Sequence, residues 1–239
     1  MERIASRPPH RRTVLRQLSA LPWLLPAMAC TARTSRLLDL APFDAIEIGV
    51  SGRMRVRQGP APSIEIRAEP NVLAVLSARV RERTLYVQAA SFSTQAPVEM
   101  LLSCPALLAV YAWGAAQVAL EMGRQQTLKL QVDDAASIDA DSLNLIGISA
   151  DIRGTGSIRA AGKTGQQQVC VADAGTYLAL GLESQEAEVE VFGAGHAELN
   201  VRRELRVGLF GAGTVRQTGP AVVRWHGEFN SPTDPILGG

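Results

Sequence analysis

The sequence predicts an all-β fold, a right-handed parallel β-helix or β-solenoid with coils of about twenty residues. Three observations predict it. A small-residue tripeptide recurs six times at a nearly constant step, and apolar residues alternate with polar ones on both sides of it. The composition is also unusual, with 21 glycines and only 5% aromatic residues in 239, which suits thin stacked layers better than a bulky aromatic core.

The tripeptides are Gly114-Ala-Ala116, Asp134-Ala-Ala136, Gly154-Thr-Gly156, Asp173-Ala-Gly175, Gly193-Ala-Gly195 and Gly211-Ala-Gly213, and their third residues step by 20, 20, 19, 20 and 18. Aligned on that third residue, the chain falls into columns. Six before it stand Val110, Leu130, Ala150, Val169, Val189 and Val207; four before it stand Ala112, Val132, Ile152, Val171, Val191 and Leu209. Two after it stand Val118, Ile138, Ile158, Tyr177, Ala197 and Val215. Even offsets are apolar or small, as a strand with one buried face requires. One residue after the tripeptide the column is polar: Gln117, Ser137, Ser157, Thr176, His196, Thr214. A single coil of this length cannot bury its own apolar face, whereas stacked coils form a continuous interior. The tripeptides mark corners where the chain bends and neighbouring backbones approach closely. Alanine at the third position of the first two predicts less sharply bent corners there.

The N-terminal half carries a looser version. Ile46, Ile48, Val50, Gly52, Met54 and Val56 alternate, and further strands are expected at 64–68, 85–89 and 98–104. Residues 70–77 break the pattern and read as a turn or short helix. Parity turns Cys104 inward and Cys170 outward, so no disulfide between them is expected.

The first thirty residues read as an address. Arg11-Arg12-Thr13-Val14-Leu15-Arg16 precedes an apolar run from Leu18 to Ala29, the layout of a secretory signal of twin-arginine type. The run, interrupted by Pro22 and Pro26, is shorter than the roughly twenty residues a membrane-spanning helix needs. Ala27-Met28-Ala29-Cys30 has two readings. An ordinary signal peptidase could cut before Cys30, or the segment is a lipobox and Cys30 is acylated as the mature N-terminus. The chain is thus divided into an export signal at 1–29, a short linker at 30–41, the solenoid at 42–230 and a tail at 231–239. The expected location is the cell envelope, either periplasmic or lipid-anchored, with Thr31 after the cysteine favouring the outer membrane. Without residues 1–30, which hold five arginines and Glu2, 19 basic and 22 acidic side chains remain. That mildly acidic balance excludes the electrostatic footprint of a nucleic-acid binder.

The Phe43-Asp44-x-Ile46 opening, the strand pair around Gly52, the Pro105-x-Leu107 ending and the repeated Gly-x-Gly coils together resemble the putative auto-transporter adhesin, head GIN domain family. The resemblance runs from about Leu38 to about Phe229. It implies a parallel β-helix, often secreted or lipid-anchored, in a family whose adhesin label is itself an inference.

No catalytic motif, metal-ligand spacing or cofactor loop is found, and no catalytic residue, metal ligand or cofactor is assigned. One enzymatic lead exists. Asp134 and Asp173 share a column two coils apart, roughly 9.6 Å at the spacing of strands, near the upper end for an inverting glycosidase pair. Both also replace a corner glycine, and Asp tolerates glycine-like backbone angles. Trp113, Phe192 and Phe210 share the outward column three before the third residue and form a candidate ligand-binding patch. The favoured reading is a non-enzymatic, adhesin-like or scaffold module. Its partners would be a cell-surface glycan or an envelope protein, with the membrane reached through Cys30. The alternative is a polysaccharide hydrolase or lyase using carboxylates on the β-helix face.

Overall fold

The structure, a computed structural model, describes residues 33–226. The export signal, Cys30 and the 231–239 tail lie outside the described residues. The N-terminal part contains β1 (Thr34–Asp39), β2 (Ala45–Ile48), β3 (Gly52–Gln58), β4 (Ser63–Ala68), α1 (Pro70–Val75), β5 (Leu76–Arg81), β6 (Thr84–Ala89) and β7 (Val98–Cys104). The repeats contain β8 (Ala109–Ala112), β9 (Ala116–Glu121), β10 (Thr127–Val132), β11 (Ser137–Ile152), β12 (Ser157–Val171), β13 (Thr176–Gly193), β14 (His196–Gly211), β15 (Thr214–Thr218) and β16 (Val222–His226). They build a β-solenoid of about six turns with parallel bridges about 20 residues apart.

The stacking register reproduces the sequence columns. Gln117, Ser137, Ser157, Thr176, His196 and Thr214 are paired rung to rung, and so are Val110, Leu130, Ala150, Val169, Val189 and Val207. Burial follows parity, with Val132, Ile152, Val171 and Val191 fully inside. The strands are longer than the alternation alone suggests. β11 to β14 each run from one corner to the next, through a register shift near Ser142, Gly162 and their counterparts, so one strand supplies two sides of the coil.

The corners differ from expectation in an informative way. All six have positive φ at the first tripeptide residue: Gly114, Asp134, Gly154, Asp173, Gly193 and Gly211. The bend therefore does not depend on the third residue, and the first two corners are turned like the others. The middle residue of each of four corners donates its N–H to the carbonyl of the first residue one coil below, as Thr155 does to Asp134 at 2.8 Å and Ala194 to Asp173 at 2.7 Å. Third-position glycines answer a different need. A Cβ at Gly175 would stand 2.5 Å from Cγ2 of Ile152, and one at Gly156 2.3 Å from Cγ1 of Val132. By the same step Ala136 lies over Ala112, where the smaller neighbour leaves room for its methyl group.

The N-terminal layers are not stacked in chain order. β2 pairs in parallel with both β6 and β8, and β3 with both β7 and β9. The β2–β3 coil is thus enclosed between a later layer below and the first regular coil above. The lower edge is finished by antiparallel strands, β5 on β6, β4 on β7 and β1 on β4. The strand β1 corrects the linker reading of residues 30–41. Its residues are exposed apart from the partly buried Leu38, so no alternation betrays it. The 70–77 segment resolves into α1, which begins at Pro70, followed at Leu76 by β5.

A polar cluster lies in the interior among the described residues. Tyr177, in the inward column, donates its O–H to Oε1 of Gln167 at 2.8 Å, and Gln167 donates to Oγ of Ser184 at 2.9 Å. Ser184 donates in turn to the Asn200 carbonyl at 3.3 Å. Burial pushes the Tyr177 phenol well above its usual range, so it remains a donor. Within this cluster Tyr177, Gln167 and Ser184 satisfy one another, which removes the desolvation penalty of an unsatisfied group.

Parity can be tested directly. Ile152→Asp places a carboxylate in the dry interior and should cost about 4 kcal/mol or more, unfolding the domain. Ser157→Asp, outward on the same coil, should cost about 0.5 kcal/mol or less. Denaturant unfolding of the two variants checks this, and equal effects would reverse the assignment of faces.

Candidate functional site

Phe192 ends the inward-outward alternation of β13 and Phe210 that of β14, and the two are register partners on adjacent coils. Their ring centroids are 4.7 Å apart with planes 9° from parallel. Rings side by side in one plane could not approach so closely, so the faces look along the stacking axis. Each residue remains 38% exposed. Next to them Gly208 makes room for two rings: a Cβ there would meet Cε2 of Phe210 at 2.9 Å and Nε2 of His226 at 3.0 Å. His226 also reaches Oε1 of Glu190 at 3.5 Å. Sequence reading missed Glu190 and His226 as members of this patch, although the outward parity of β13 and β16 puts both on its face.

Trp113 stands in the same column but apart from the pair. Asp133, Arg153 and Ala172 occupy the rungs between, so Trp113 lies about 19 Å below Phe192 at the spacing of strands. It is half-buried and covers Gly49, whose Cβ, if present, would fall 2.0 Å from its ring. Its indole seals the β2–β3 corner.

Asp134 and Asp173 have φ of 59° and 57°. Each carboxylate turns down onto the coil below, where Asp134 accepts from the Gly114 N–H at 3.2 Å and Asp173 from the Gly154 N–H at 3.1 Å. Above each Asp stands a glycine, and a Cβ at Gly154 would meet the Asp134 carbonyl at 2.7 Å. From Gly114 to Gly193 Asp and Gly therefore alternate at the corners, the Asp side chain folding over the bare backbone of the Gly below, and Gly211 then lies over Gly193. Two open grooves, of about 450 and 580 Å³, run along other faces. The first is lined by Lys129, Gln168, Glu188 and Arg206 among others, the second by Arg53, Arg67, Leu101 and Asp139 among others, and neither includes Asp134 or Asp173.

His196 contacts Oγ1 of Thr214 at 2.7 Å through Nδ1 and lies 3.4 Å from Oε1 of Glu198 through Nε2. The residue types match a hydrolytic relay, but they stand on a flat outward ladder whose backbone amides pair β13, β14 and β15. No converging N–H pair is left there for an oxyanion. Cys104 is fully buried, and burial pushes its thiol up to about 11. Cys170 is partly buried and faces outward, its thiol raised by burial and by Asp151 and Glu190. Neither thiol is activated. Among the described residues no group of three or more His, Cys, Asp or Glu could hold a metal ion, and no helix is long and apolar enough to cross a membrane.

The family profile described as "Putative auto-transporter adhesin, head GIN domain" matches residues 42–221. The chain belongs to this family. Solved structures similar to this head GIN domain include a putative adhesin from Bacteroides fragilis, at 18% identity and TM-score 0.73, covering 82% of this chain and 94% of that one. A putative adhesin from Parabacteroides distasonis aligns at 19% identity and TM-score 0.69, over 88% of this chain and 95% of its own. A putative lipid binding protein from the same species aligns at 14% identity and TM-score 0.65, over 86% and 94%. At these identities the likeness shows the solenoid fold. No match was found among curated proteins. Membership of an adhesin family suggests a surface or exported protein.

The corner role of Asp173 predicts that Asp173→Gly changes stability by less than about 1 kcal/mol, since Gly takes positive φ freely. Asp173→Ala should cost about 1–2 kcal/mol, because it keeps the strained angle and loses the carboxylate. Urea denaturation compares them. A larger loss in the Gly variant would show that the hydrogen bond to Gly154, not the backbone angle, holds the corner.

Proposed function

We propose that this head GIN domain is a non-enzymatic, adhesin-like interaction module of the bacterial envelope, and that it meets its partner through the face carrying Phe192 and Phe210. The observation that supports this reading is the stacked, solvent-exposed ring pair on a rigid sheet, beside Glu190 and His226. Aromatic surface of this kind is kept at binding sites because it buries large area at little conformational cost. Trp113 contributes to structure instead. A hydrolase or lyase built on Asp134 and Asp173 finds no support, since both carboxylates are engaged at corners. Export through the twin-arginine-like signal and acylation of Cys30 complete the proposal. The anchor would hold the solenoid close to the membrane, and Thr31 after the cysteine favours an outer-membrane location.

Two measurements test it. Purified protein on arrays of glycans and envelope proteins should bind at least one class, and Phe192→Ser with Phe210→Ser should lower that binding at least tenfold with folding intact. Unchanged binding in the double variant would remove this face from the proposal. Fractionation and mass of the mature N-terminus should show a lipidated, membrane-bound wild type and a soluble Cys30→Ser variant. An unmodified, soluble wild type would mean plain periplasmic secretion.

A further inference from the structure

The outward column that carries the phenylalanines has a missing rung. From the bottom it reads Trp113, Asp133, Arg153, Ala172, Phe192 and Phe210, and Ala172 alone contributes a single side-chain carbon. Phe192 stacks on Phe210 above it, so its other face looks down the axis over Ala172. Arg153 stands two rungs below Phe192, about 9.6 Å away at the strand spacing. A ring inserted between them needs about 3.5–4.0 Å of van der Waals separation on each side. The gap therefore takes one ring and no more. Ala172 is only partly buried, and the Arg153 side chain is 58% exposed, so the gap opens to solvent.

The neighbouring outward column supplies the polarity. Asp151, Cys170 and Glu190 are register partners on the same three coils. Asp151 holds Arg153 through a 3.0 Å ion pair and Glu190 lies 3.5 Å from His226, yet each carboxylate has more acceptor positions than one partner uses. On the other side the gap is closed by corner backbone, where Asp173 caps Gly154.

Charge narrows the occupant. A cation over the Phe192 face would meet the Arg153 guanidinium. An anion would meet Asp151 and Glu190. A purely aromatic ring would stack but leave the remaining acceptor positions of the carboxylates unused. A neutral ring with an apolar face and several hydroxyl donors satisfies all of these groups at once. We propose that the gap over Ala172, between Arg153 and Phe192, is a subsite for one neutral pyranose unit of a glycan. The sugar's C–H face packs on Phe192, its hydroxyls donate to Asp151 and Glu190, and Arg153 donates to its oxygens. This subsite rests on the reading of the domain as an interaction module and specifies the ligand class.

The test fills the rung. Ala172→Phe extends the ring stack by one and should leave thermal unfolding unchanged or raised, which verifies folding. On an array of neutral, sialylated and sulfated glycans the wild-type protein should bind neutral pyranose chains, and Ala172→Phe should lower that binding at least tenfold. Ala172→Ser, which leaves the gap open, should bind within about twofold of wild type. Preference for charged glycans, or neutral-glycan binding undiminished in Ala172→Phe, overturns the subsite. Absence of glycan binding together with envelope-protein binding that depends on Phe192 overturns the subsite and leaves the interaction module standing. Binding to neither class overturns both.

Discussion

In-register parallel stacking is the constraint on which the rest of this molecule depends. Each coil can bury its apolar side chains only if the coil above repeats its outline, because the interior is shared. That requirement fixes where the chain must bend, and the positive φ at the first corner residue supplies the bend on all six coils. The corner then dictates the residues around it. A side chain at one corner must fold over the coil below, so Asp134 and Asp173 alternate with glycines whose missing Cβ leaves room. Where the inward neighbour is Val or Ile, the third position must be glycine; over Ala112 an alanine fits.

Much of this was legible in the sequence because the period is short and the parity strict. The columns were readable from Val110 to Val215 and match the observed register, and the outward placement of Phe192 and Phe210 came with them. The corner mechanism was not legible, since glycine stands four times at the first position and four times at the third, and the letters do not say which of the two makes the bend. β1 was illegible because an exposed edge strand has no buried face to impose alternation. The order of layers at the N-terminus was equally hidden, because a column shows which residues face inward and not which coil lies next. The buried polar cluster escaped for a third reason. Parity turns Gln167 inward, eight before Gly175, but the other buried members of that column are Leu128, Ile148, Ala187 and Leu205, so nothing in the letters announces a polar residue there or its partners Tyr177 and Ser184.

The same constraint shapes what the surface can do. On a solenoid, residues of one outward column are a few ångströms from their like on the next coil, which creates ladders: hydroxyls from Ser137 to Thr214, rings at Phe192 and Phe210. Such ladders suit recognition of extended or repeating partners. They are poor places to assemble catalysis, which needs unlike groups converging in a sheltered hollow. The His196–Thr214–Glu198 set illustrates the difference, having the right residue types on an open, flat face.

The position of the β2–β3 coil between two layers that follow it in the chain has a consequence for assembly and for how the protein can change in length. The coil is made first but cannot be completed until residues around 100 and 117 arrive, and the contacts that close it, such as Arg53 with Gln117 and Arg57 with Glu121, each span 64 residues. Closing a loop of that size costs about 1 kcal/mol more entropy than closing one coil above it. Every coil above it closes over only about 20 residues on a surface already formed. Growth is therefore polar: above β9 a coil can be duplicated or lost in evolution by extending or shortening an existing template, whereas the interleaved base must be kept or discarded as one unit.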